Sequence, residues 1–120
     1  MIWILAVAAG SAGAGLRFVV GSAVQRRAKT DAPIGTAAVN LTGAGLLGII
    51  AGLDLPAGAA LVIGSGLIGA FTTYSTWMVE TLLLLNDERV GRAHAAANLA
   101  LQAGAGLVLA AAGLALGRLL

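Results

Sequence analysis

The chain has 120 residues, 59% of them hydrophobic and only 10% charged, with a mean hydropathy of +0.97; this excludes an ordinary soluble domain and predicts an integral membrane protein. Cysteine is absent and His94 is the single histidine, which removes disulfides, thiolate metal sites and histidine-based catalysis. Seven basic against five acidic residues make a small imbalance that reads as loop topology and not as a nucleic-acid surface.

The predicted fold is all-α, one four-helix membrane domain over 1–120 with spans at about 2–24, 34–53, 57–79 and 95–117. Each is long enough to cross the ~30 Å hydrocarbon core at ~1.5 Å per residue. The first span has no basic segment before its apolar run, so it reads as a retained helix and not a signal peptide. It carries Arg17, which either snorkels toward the loop after Val24 or faces a water-filled cavity. In the second span Asn40 is either an interhelical hydrogen bond or part of a polar path. Gly48 and Gly52, and again Gly113 and Gly117, have the four-residue spacing that lets membrane helices approach closely. Asp54-Leu55-Pro56 makes a tight turn into the third span.

Within that span, Gly66 to Trp77 reads GLIGAFTTYSTW, and its hydroxyls at Thr72, Thr73, Ser75 and Thr76 must face protein, water or an ion, because an unsatisfied polar group in hydrocarbon costs several kcal/mol. Phe71, Tyr74 and Trp77 recur every three residues, which predicts one aromatic face. Gly66, Gly69 and the threonine pair make the middle a poor helix, and a break near the bilayer midplane would free backbone carbonyls for a monovalent cation, held best where two copies meet. Positive ring edges, hydroxyls and the Asn40 amide suit a small anion. Glu80, where the span should emerge, reads as an interfacial or salt-bridged carboxylate. Asn98 and Gln102 share a face of the last helix and either line the same path or join helices, the second being the simpler reading. Four helices are too few to enclose a pore with every polar group satisfied, so an oligomer, most simply a dimer, is expected.

Three motifs in order give the chain a family likeness. Ala9-Gly10-Ser11-Ala12-Gly13-Ala14-Gly15-Leu16-Arg17 matches GGxxGAxxR, Gly35-Thr36-Ala37-Ala38-Val39-Asn40-Leu41-Thr42-Gly43 matches GTxxVNxxG, and Gly66 to Trp77 matches GxxGGxTTFSTF. On these the chain resembles the Fluc/CrcB fluoride channel family over its full length. The resemblance implies an antiparallel dual-topology dimer in the cell membrane, with two narrow anion paths and one structural Na⁺ that is not transported. It implies that backbone carbonyls of Gly69 and Thr72 hold the Na⁺, that Asn40, Thr36, Tyr74 and Trp77 line the anion path with Thr73, Ser75 and Thr76, and that Arg17 stands at the aqueous vestibule. Ala9 and Ala70 depart from family glycines, Tyr74 and Trp77 from family phenylalanines, and Asn98 from a family tyrosine. The implied physiology is passive: hydrogen fluoride enters as a neutral acid, ionises in the cytoplasm, and F⁻ leaves down its gradient, giving fluoride resistance.

Other readings fit less well. A small multidrug-type exporter depends on a glutamate inside the first helix, where this chain has Arg17 and no acid. A lipid kinase needs clustered acids for Mg²⁺, whereas Asp54, Glu80, Asp87 and Glu88 are scattered at span ends. A non-conducting structural subunit of a heterodimer is a further alternative. Arg26, Arg27, Lys29, Arg89 and Arg92 all fall in the first and third loops, against Arg118 alone on the opposite side. The positive-inside rule therefore predicts a fixed orientation, cytoplasmic basic loops and an oppositely oriented homologous partner.

Overall fold

The fold is described from a computed structural model covering residues 1–89 and 91–120, whose elements are helices with no strand among the described residues. Helix α1 (Ile2–Ala28) is followed by α2 (Ile34–Gly52). The third span is made of two pieces, α3 over residues 57–71 and α4 (Tyr74–Asn86), and the last helix is α5 (Gly91–Gly117). Among the described residues, four segments are long and apolar enough to cross a membrane: Ile2–Ala28, Ile34–Gly52, Ala57–Asn86 and Gly91–Gly117. Three of them outrun the hydropathy-based boundaries at the loop ends. Helix α1 continues through Gln25, Arg26 and Arg27, where basic side chains favour the negative end of the helix dipole.

The helix ends have local causes. Lys29 adopts the left-handed conformation (φ 49°, ψ 40°) and stops α1. The Gln25 amide nitrogen then donates to the carbonyls of Thr30 at 2.8 Å and Ala32 at 2.9 Å, while its oxygen accepts from the Gly35 amide at 2.9 Å. One side chain thus satisfies the turn and an orphan donor at the start of α2. Pro33 and Pro56 precede α2 and α3, positions where a missing N–H costs nothing.

Helix α2 packs most extensively on α5, and α1 on α3. The α2–α5 seam depends on glycine. A Cβ on Gly48 would collide with the Ala110 carbonyl, and one on Gly113 with the Gly45 carbonyl. Backbone atoms cannot swing aside, so the two glycine pairs mesh across one seam, which is how small residues stabilise helix pairs in lipid. A similar approach joins α1 to α3, where a Cβ on Gly13 would strike the Leu67 carbonyl. Among the described residues the buried apolar core is correspondingly small, comprising Ala37, Val39, Ile68 and Ala95, while Trp3, Leu5, Phe18, Val19, Leu107 and Val108 point outward. That distribution suits a bundle whose solvent is hydrocarbon.

Candidate functional site

Helix α3 does not leave the helical path at its glycines. It widens into a π-helix over Leu61–Ile68, passing through Gly64 and Gly66, and returns to α-geometry for Gly69–Phe71. The departure comes at Thr72 (φ −84°, ψ 164°) and Thr73 (φ −148°, ψ 121°), both extended, before α4 begins at Tyr74. Extended backbone suits β-branched residues. The π-widened turn just before the interruption is a common mark of functional sites in helices, and nothing in the sequence reading located it.

The interruption redirects four backbone groups. The Thr73 amide, which in a continuous helix would bond to the Gly69 carbonyl, instead donates to Asn40 Oδ1 at 2.8 Å. The Thr76 amide, which would bond to the Thr72 carbonyl, donates to Thr73 Oγ1 at 3.3 Å and caps α4. Gly69 O and Thr72 O are therefore released from the helical ladder. Gly69 O accepts from Thr72 Oγ1 at 3.1 Å, and Thr72 O from Arg17 Nη1 at 3.0 Å. Each carbonyl has a second lone pair. They are neutral, hard oxygen donors of the kind a monovalent cation takes, two from one subunit being too few for a full shell. Among the described residues no group of three or more His, Cys, Asp or Glu offers an alternative metal site.

Asn40 holds the interruption in place. Its Oδ1 accepts from the Thr73 N–H, and its Nδ2 donates to the Thr73 carbonyl at 3.0 Å. The side-chain amide so pairs with a backbone unit on both sides, as a neighbouring strand would. Its other hydrogen goes to Gln102 Oε1 at 2.8 Å. From there Gln102 Nε2 donates to Asn98 Oδ1 at 2.9 Å, and Asn98 Nδ2 to Thr81 Oγ1 at 2.9 Å. Thr81 Oγ1 closes the run on the Trp77 carbonyl at 2.8 Å. Asn98 and Gln102 thus join α2, α4 and α5, and Gln102 also borders the smaller concavity at the interruption. Their partners, 62 residues away for the Asn40–Gln102 pair, carry no sequence signal.

Two concavities meet at this segment. A cavity of about 1090 Å³ opens between the loop ends of α1, α2 and α4, with Arg26 and Arg89 at its mouth and Arg17, Thr36, Thr73 and Thr76 along its wall. Arg17 lies about 13 Å deeper than Arg26 along α1 at ~1.5 Å per residue, so it faces this cavity and the Thr72 carbonyl instead of snorkelling to the loop. Glu80 also lines the cavity. Its Oε1 accepts from Thr36 Oγ1 at 2.6 Å, and Oε2 is buried with no hydrogen-bond partner among the described residues. The expected interfacial or salt-bridged carboxylate is thus bonded to a hydroxyl, because Thr36 on α2 is the polar group that packing brings to it.

The second concavity, about 200 Å³, is lined by Asn40, Thr72, Thr73, Tyr74, Trp77 and Gln102. Thr73 borders both spaces. The aromatic face expected over Phe71, Tyr74 and Trp77 does not form, since the extended Thr72–Thr73 unit breaks the helical repeat. Only Tyr74 and Trp77 pair, edge to face, with ring centroids 5.9 Å apart and planes at 87°. The Trp77 indole N–H donates to the Asn98 carbonyl at 3.3 Å, so it is not a free donor. Ser75 lines neither space and lies 3.4 Å from Thr73 Oγ1.

The profile of the family described as CrcB-like protein, Camphor Resistance (CrcB), matches residues 4–114. Among curated proteins, the chain is similar to fluoride-specific ion channel FluC 2 of Mycobacterium tuberculosis (strain ATCC 25618 / H37Rv), 46% identical over 112 residues that cover 93% of this chain and 87% of that protein. It is similar to FluC 2 of Mycolicibacterium paratuberculosis, 50% identical over 92 residues, covering 77% and 75%. Fluoride-specific ion channel FluC 1 of Symbiobacterium thermophilum is 42% identical over 125 residues, covering 98% of each chain.

Proposed function

The chain belongs to the CrcB family, and on that premise we propose that it is a subunit of a fluoride channel that lets F⁻ leave the cytoplasm passively. It is a multi-pass membrane protein of a channel family, not an enzyme. The observation that carries the reading beyond the family name is the groove in which Asn40, Tyr74, Trp77 and Gln102 converge on the interrupted third span, next to a polar cavity. A dehydrated F⁻ needs hydrogen-bond donors and positive ring edges, and the groove is built from such groups.

The working unit in this proposal is a dimer in which the interruptions of two third spans face each other near the bilayer midplane. The Gly69 and Thr72 carbonyls from both subunits then hold one structural Na⁺, which supplies charge that keeps the released oxygens together. Their release from the helical ladder supports that role. Purified chain in liposomes should release loaded fluoride, and replacing Na⁺ with a large organic cation throughout preparation and assay should slow the release and weaken the assembly. No release in Na⁺ would overturn the channel reading, and release and assembly strength that ignore the cation would overturn the Na⁺ site alone.

Basic residues from both loop ends line the large cavity, Arg26 from the last turn of α1 and Arg89 from the connection after α4. A single orientation with both loops cytoplasmic follows from the positive-inside rule. The native channel in this proposal pairs the chain with an oppositely oriented homologue, and homodimers form under overexpression from inverted copies. Reporters fused to the C-terminus at native expression should read external. Equal cytoplasmic and external populations, or full fluoride resistance from this gene alone, would contradict the obligate partner.

A further inference from the structure

Arg17 differs from the other two arginines that line the large cavity. Arg26 and Arg89 are exposed and share the lining with Asp31 and Asp87, and Arg89 Nη2 pairs with Asp87 Oδ2 at 3.4 Å. Arg17 is half-buried, and among the described residues no carboxylate lies within ion-pair distance of it. Glu80, an acid of the same lining, is bonded to Thr36 instead. The guanidinium spends one N–H on the Thr72 carbonyl at 3.0 Å, and no described residue engages the rest of its fork. An unpaired cation inside a span is costly, and a small anion admitted to the cavity relieves it.

The Thr72 carbonyl is where this charge meets the interruption of the third span. On the Na⁺ reading above, that oxygen has two positive neighbours, the guanidinium on one lone pair and Na⁺ on the other. Unit charges that share an oxygen stand within a few ångströms of each other and repel, more strongly in a half-buried site than in water. An anion on Arg17 cancels the repulsion. Resting on that Na⁺ reading, we infer that Arg17 couples the two ions: an anion paired with Arg17 in the cavity tightens Na⁺ at the Gly69 and Thr72 carbonyls, and Na⁺ tightens the anion by the same factor. Positioning acts in the opposite direction, because the guanidinium also steadies the Thr72 carbonyl. One hydrogen bond is worth less than the repulsion of two close charges outside bulk water, so charge sets the sign. The shared oxygen carries the coupling without a conformational change, and fluoride strengthens the assembly through which it passes.

The test follows the thermal midpoint of the detergent-solubilised, full-length assembly as Na⁺ replaces a large organic cation, in fluoride and in gluconate at one ionic strength. In the unmutated chain, the Na⁺ concentration that gives half the stabilisation should be about tenfold lower in fluoride. In the converse titration, Na⁺ should lower the half-saturating fluoride concentration by the same factor. Arg17→Gln and Arg17→Met remove the charge, and each should give one half-saturating Na⁺ concentration in both anions. Arg17→Lys keeps the charge and should keep the anion dependence. A merely structural arginine predicts lower midpoints in all three variants with the anion dependence intact. Half-saturation within twofold between the two anions in the unmutated chain overturns the coupling and leaves the Na⁺ site standing, whereas a midpoint that ignores Na⁺ overturns both. Undiminished anion dependence in a neutral variant, or its loss in Arg17→Lys, also overturns the inference. The unmutated chain and Arg17→Lys decide the matter even where a neutral variant does not assemble.

Discussion

Asn40→Leu is expected to cost the assembly about 2–3 kcal/mol and to abolish fluoride release. The side-chain amide is the partner of both the Thr73 N–H and the Thr73 carbonyl, and a buried polar group left unpaired costs ~1–3 kcal/mol. Both bonds are part-buried at a groove, where water can enter, so the lower end of the range applies to each. The loss of flux has a different cause. Without the amide, Thr73 has no reason to stay extended and Gln102 loses the group that fixes its orientation. Asn40→Asp should not rescue either property: its carboxylate still accepts from the Thr73 N–H, but its other oxygen is set against the Thr73 carbonyl and Gln102 Oε1 and it adds a charge inside the span, so stability and fluoride release should both fall. Thermal unfolding of the detergent-solubilised assembly, together with fluoride release from liposomes, reads both. An Asn40→Leu protein of unchanged stability would remove Asn40 from its role as the support of the interruption.

The four spans were legible because lipid imposes a single rule, a continuous apolar run long enough to cross. The loop ends were less so: α1 continues through Arg26 and Arg27, where the apolar run has stopped but helical hydrogen bonding has not. The glycine spacings were legible too, and Gly48 and Gly113 mesh across the α2–α5 seam as that spacing suggests. In the third span Gly66, Gly69 and the threonine pair together read as the weak point; the two glycines remain helical, and the backbone is extended at Thr72 and Thr73, where Thr73 meets an amide from α2. Aromatic periodicity misled for the same reason, since a three-residue repeat has meaning only along an unbroken helix.

The polar residues were each visible in the sequence, but their pairing was not. Arg17 with Thr72, Thr36 with Glu80 and Asn40 with Gln102 are separated by 55, 44 and 62 residues. Such pairs follow from how the helices are rotated about their axes, which single-chain periodicity leaves free. Donor occupancy depends on these pairings. The Asn40 amide, read from the sequence as either an interhelical hydrogen bond or part of a polar path, makes interhelical hydrogen bonds, and the indole N–H of Trp77 is engaged as well.

At Tyr74 and Trp77 the expected loss is largest for transport and smallest for folding. The two rings meet edge to face and line the groove with Asn40 and Gln102, so their positive edges can face a passing anion. Isoleucine keeps the side chain apolar, though smaller than either ring, and removes the ring quadrupole. In Trp77→Ile it also removes one hydrogen bond to the Asn98 carbonyl, worth ~0.5–1.5 kcal/mol net, which the bundle should tolerate. Fluoride release from liposomes containing gel-filtered, intact Tyr74→Ile and Trp77→Ile assemblies is therefore the most direct test that this groove is the anion path. The groove assignment predicts a loss of at least about tenfold in each, equivalent to ~1.4 kcal/mol of lost barrier stabilisation; release at the unmutated rate from both would contradict it.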